Sequence, residues 1–189
     1  MSRYASIAAA VVLSFVALSC SDAPDPVQPP GQGENLSPTA ASAVQLGRTR
    51  GFVALLDGAH EVPAVDTRAK GIAHFQLSRD GTEVTYWLFV ANIENVTMAH
   101  IHLAPAGENG PIVVWLYPEA PPPQLIEGSF TGVLATGTFG AEDLVGPLAG
   151  ATMAELMEQL GPADAYVNVH TSANPAGEIR GQLSAGGLR

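Results

Sequence analysis

Ala99-His100-Ile101-His102-Leu103 leads into the loop Ala104-Pro105-Ala106-Gly107-Glu108-Asn109-Gly110-Pro111 and then into Ile112-Val113-Val114-Trp115-Leu116. The apolar flanks are β-formers and the loop is rich in Gly and Pro, so the stretch reads as a β-hairpin. Side chains alternate faces along a strand, so His100 and His102 point the same way, about 6.5 Å apart at the backbone. A second stretch has the same layout. Tyr166-Val167-Asn168-Val169-His170 ends at the loop Thr171 to Gly177 and returns as Glu178-Ile179-Arg180-Gly181-Gln182-Leu183. If both hairpins open at the same end of one domain, three imidazoles converge. His100, His102 and His170 are then a candidate metal site. Imidazole suits copper, zinc or nickel, and Cu(II) is the most tightly held divalent ion of the series, so copper is the first expectation and zinc the alternative. The competing role for the same histidines is to pin the two loops through hydrogen bonds.

Outward from the hairpins the pattern stays β. Gly51–Leu56 is a strand closed by Asp57-Gly58. Gly71–Ser78 alternates, with Ala73, Phe75 and Leu77 on one face. Asp80-Gly81 is a hairpin turn signal, and Glu83–Ile93 sets Val84, Tyr86, Leu88 and Val90 against Thr85, Trp87 and Phe89. Asn92–Asn95 reads as a turn into the His100 strand, the proline-rich 117–123 as a surface loop, and Leu125–Thr138 as one or two short edge strands. One helix is signalled: Thr152 and Glu155 form a capping box, Met153, Leu156, Met157 and Leu160 share a stripe, and Gly161-Pro162 ends it. The expected fold is all-β, an antiparallel β-sandwich or flattened barrel of about eight strands with one short amphipathic helix.

The chain carries 18 acidic and 8 basic residues, a formal charge of −10, which sets nucleic acid and anionic surfaces aside as partners. Its single cysteine, Cys20, allows neither an internal disulfide nor a cysteine zinc cluster. Arg3 and the apolar run Ile7–Ala17 have the form of a signal sequence, too short to span a membrane. Leu18-Ser19-Cys20 resembles a bacterial lipobox, which implies lipidation of Cys20, against the plainer reading of an ordinary secretory signal cleaved nearby, and Ser21 resembles an outer-membrane sorting residue. Residues 21–48 are rich in Pro, Ser, Ala, Gln and Gly, with few large apolar groups to offset chain entropy. The expected organisation is a signal peptide over 1–19, a lipid-anchored tether over 20–49 and one folded domain over 50–185. The membrane is then met through acyl chains alone.

Other side chains flank the candidate site. Met98 shares the face of His100 and His102 and is either a soft thioether donor or a core filler. Tyr166 and Asn168 share the face of His170 and either orient ligands or simply satisfy buried backbone. Glu178, Arg180 and Gln182 lie on one strand face. There Glu178 is a candidate carboxylate and Arg180 a candidate anion guide, against the plainer role of pairing Arg180 with Glu178 or Glu61. His60 and His74 have no partner spacing.

Phe52-Val53-Ala54-Leu55-Leu56, Glu61-Val62-Pro63, Gly71-Ile72-Ala73, Ala99-His100-Ile101-His102, Asn109-Gly110-Pro111-Ile112-Val113, Tyr166 to Thr171 and Asn174 to Leu183 together resemble the CHRD domain, a family first recognised in chordin and common in bacterial secreted proteins. The resemblance covers Gly51 to Leu183 in order, with Ala64 standing where the family often has a second proline. It implies a β fold and no settled activity. The order of His-x-His, a later Val-x-Val-His and an Arg-bearing strand also resembles the copper half of copper/zinc superoxide dismutases. That likeness implies His100, His102 and His170 as copper ligands and Arg180 near a substrate-guiding position, off by one. The zinc-ligand cluster, the bridging histidine and the disulfide of those enzymes have no counterpart here. The expected function is an exported, lipid-anchored binding module holding copper (or zinc), rather than an efficient enzyme. The alternatives are a dismutase-like copper enzyme and a metal-free β-domain for a protein or polysaccharide partner.

Overall fold

The computed structural model describes residues 50–160 and 163–186. The segments read as a signal peptide and a tether, with Cys20, and the Gly161-Pro162 helix stop lie outside the described residues. Eight strands run in the order β1 (Gly51–Asp57), β2 (Lys70–Leu77), β3 (Glu83–Leu103), β4 (Ile112–Tyr117), β5 (Ile126–Gly140), β6 (Ala165–Thr171), β7 (Ile179–Gln182) and β8 (Ser184–Ala185), with one helix, α1 (Met153–Leu160), between β5 and β6. No described helix is long and apolar enough to cross a membrane.

Strand β3 organises the rest. Its 21 residues pair with four other strands, each antiparallel. Along one edge it meets β2 over Val84–Ala91 and β6 over Val96–Leu103. Along the other it meets β5 over Glu83–Val96 and β4 over Ala99–His102. The path β2-β1-β7-β6-β3 returns to β2, so five strands close a barrel, while β4 and β5 extend the sheet beyond it. Closure removes the barrel's open edges and gives each strand an inside and an outside. The inside is the expected alternation: Phe52, Ala54 and Leu56 from β1, Ala73 and Phe75 from β2, and Val84, Tyr86, Leu88 and Val90 from β3 are all buried.

Two expectations are corrected. Asn92–Asn95 does not turn the chain. Asn92 (φ 55°) and Asn95 (φ 52°) take left-handed backbone inside a continuous strand, with register shifts on either side. Asn tolerates that conformation, so the strand bends and changes neighbours without ending. The segment read as one or two short edge strands is instead the 15-residue β5, paired along Glu83–Val96 of β3. Its Gly and Thr residues weaken the β signal but suit a half-exposed strand that must follow the bend. Helix α1 agrees with its capping box: the Thr152 amide donates to Glu155 Oε2 at 2.7 Å and the Glu155 amide to Thr152 Oγ1 at 3.3 Å. Met153, Leu156 and Leu160 are its buried stripe.

Candidate metal centre

Both histidine hairpins form, and β3 and β6 pair directly. In that register Met98 faces His170, His100 faces Asn168 and His102 faces Tyr166. Two strands that looked like separate signals in the chain are therefore neighbours, with all three imidazoles on one sheet face. His100, His102 and His170 are buried, and their nearest ring nitrogens lie within 4.8 Å of one another. His100 Nδ1 is 3.2 Å from His170 Nε2. The contact is a hydrogen bond accepted by His170 Nε2; two nitrogens each about 2.0 Å from a tetrahedral ion stand about 3.3 Å apart, so the pair has ligand spacing once the His100 proton moves to its unpartnered Nε2. The third nitrogen lies within 4.8 Å of both and has to close in to join the same sphere.

The loops set the tautomers. His102 Nδ1 lies 2.9 Å from the Gly110 carbonyl and His170 Nδ1 lies 3.0 Å from the Pro175 carbonyl. A carbonyl only accepts, so each Nδ1 carries the proton and each Nε2 presents a lone pair. That is the arrangement in which backbone orients metal-binding imidazoles. Gly110 must be glycine for this, because a Cβ there would collide with the Leu103 carbonyl. Nε2 of His100 and of His102 are buried without a hydrogen-bond partner. Five of the six such side-chain atoms among the described residues belong to this end of the barrel: those two, Glu61 Oε1, Asn168 Oδ1 and Arg180 Nε.

Burial disfavours the charged imidazolium. It holds His100 down to about 3, with His170 and His102 adding repulsion, and His170 down to about 4 in spite of its bond to Pro175. His102 is lowered for the same first reason. All three are neutral donors at physiological pH.

Around them stands a charged and aromatic support. The Arg180 guanidinium lies 4.0 Å from the Tyr166 ring centroid, and Tyr166 stacks on His102 at 4.9 Å and 7°. Arg180 Nη2 pairs with Glu61 Oε2 at 3.1 Å, both side chains being 3% exposed. Arg180 also donates to the Glu108 carbonyl at 2.9 Å and to Asn109 Oδ1. The plainer expectation for Arg180, pairing with Glu61, is the one observed; its cation is buried and committed to the loops. Glu178 accepts from Thr67 Oγ1 and Thr171 Oγ1, each at 2.7 Å, and from Asn174 Nδ2 at 3.2 Å. It ties the 171–178 loop to the segment after β1 and is not among the clustered donors. Asn168 donates weakly to the Ala176 carbonyl at 3.5 Å. His60 is exposed and bonded to Asp57, and His74 is half-buried; neither joins the cluster. One neighbour that the sequence reading passed over is Trp115, edge-to-face with His100 at 4.2 Å. Its signal was the β3–β4 register, in which His100 and Trp115 are direct partners.

A family model described as the CHRD domain matches residues 52–183, from the second residue of β1 to just past β7. No curated protein matches the chain.

Proposed function

The chain belongs to the CHRD domain family, and on that premise we propose that it is an exported, lipid-anchored binding module that holds one copper ion, with zinc as the alternative, on His100, His102 and His170. The observation that carries the reading is the convergence of three neutral, buried imidazoles, two of them with Nδ1 bonded to backbone so that Nε2 faces the cluster. Loop pinning and metal binding do not compete at His102 and His170, since one nitrogen serves each role. Imidazole donors without thiolate favour copper and zinc over the hard cations. A binding role is favoured over dismutase-like turnover because Arg180 is buried in an ion pair with Glu61 and is not free to draw an anion to the ion.

Metal analysis of protein purified without chelator or a nickel column tests the ion. The expected result is close to one copper or zinc per chain, falling to background in the His100→Ala/His102→Ala/His170→Ala variant. Equal content in both would end the reading. Export and anchoring rest on Arg3, the Ile7–Ala17 run and Leu18-Ser19-Cys20. Incorporation of labelled fatty acid in a bacterial host, lost in Cys20→Ala, is the expected outcome; a product unlabelled in both forms contradicts it.

A further inference from the structure

We propose that the three-histidine site selects a monovalent ion, Cu(I), over the divalent ions Cu(II) and Zn(II). The inference rests on the metal-site reading above and goes beyond it by assigning the charge the site tolerates. All three donors are neutral imidazoles, and no carboxylate or thiolate joins them among the described residues. The carboxylate of Glu61 is already matched by Arg180 at 3.1 Å. The carboxylate of Glu178 is held by Thr67, Thr171 and Asn174. An ion at this position therefore keeps its full charge, at a place where His100 is 0% exposed and its two companions are buried.

The energy of moving an ion out of water grows with the square of its charge, so a dication is disfavoured about four times as strongly as a monocation of similar size. Three nitrogens suffice for Cu(I), whose filled d shell accepts low coordination. Met98 stands directly opposite His170 in the β3–β6 register, and a thioether is a donor suited to Cu(I).

The test uses the full chain under anaerobic conditions, with Cu(I) buffered by a colorimetric chelator, and separate calorimetric titrations of Zn(II) and Cu(II). The expected result is one Cu(I) per chain, bound more tightly than either dication. Zn(II) or Cu(II) bound as tightly as Cu(I), and lost in the triple histidine variant, would overturn the choice of charge and leave the site standing. Failure of the wild-type chain to bind any of the three would overturn both.

Discussion

Arg180 reaches further than any other side chain near the site. It joins Glu61, Glu108 and Asn109 to the strand that carries it and lies over the ring that stacks on His102. Removing one partner of a buried ion pair leaves the other charged and unsatisfied, so Arg180→Met should lower stability by about 3–5 kcal/mol, read by urea unfolding. Arg180→Met combined with Glu61→Leu should recover much of that loss; a double variant no better than the single would show that the pair is not the cause. Gly177 is a second such position: at φ 134° a Cβ would meet Asn168 and Glu61, so Gly177→Ala should be poorly tolerated. The histidines give a pH dependence with a definite sign. His100 and His170 titrate well below an unperturbed imidazole near 6.5, so between those values the unfolded chain binds protons that the native chain does not. Stability of the metal-free protein is complete above about pH 6.5 and is lost as pH falls toward 4 and then 3, by up to about 1.4 kcal/mol per pH unit for each histidine. Flat stability between pH 7 and 4.5 would contradict the burial argument. At this scale much was legible: alternation put His100 and His102 on one face, and the Glu61 pairing follows from charge. The Tyr166–His102 stack was not legible, because it depends on which residues face each other across β3 and β6.

At the level of elements, β3 is the part that makes the site possible. By continuing through Asn92 and Asn95 it pairs with β2 on the barrel wall and then with β6 at the histidines. Asn92 is exposed, so its backbone conformation can be tested without disturbing the core. Asn92→Gly should be close to neutral, and Asn92→Val should cost about 1–2 kcal/mol, because a β-branched residue resists positive φ. Equal stability of the two variants in a thermal melt would show that the bend does not depend on left-handed backbone there. The same residues explain why the sequence misled. Asn pairs usually mark turns, and only the tertiary need to keep β3 against β5 and β6 makes this one a bend. The Gly/Thr composition of β5 hid a 15-residue strand for a related reason, since its conformation is imposed by the partner it follows. The capping box of α1 was legible because it is a local device, complete within four residues.

At the scale of the whole molecule, barrel closure sets β6 beside β3, and the three imidazoles meet on one face of that antiparallel pair, although the loops after the two strands leave it at opposite ends. The number of strands and the all-β class could be read from alternation and turn spacing. Closure could not, since it depends on β2 meeting β3 as well as β1. An ion bound only by the native state adds stability as its concentration rises, about 2.7 kcal/mol at 100 times its dissociation constant. A saturating ion should therefore raise the melting temperature of the wild-type chain and leave the triple histidine variant unmoved. The most direct test is X-ray absorption on the copper-loaded chain, which reads the ligands themselves. The account predicts a first shell of three nitrogens at about 2.0 Å with imidazole scattering beyond it, while a shell of oxygens without imidazole would contradict it.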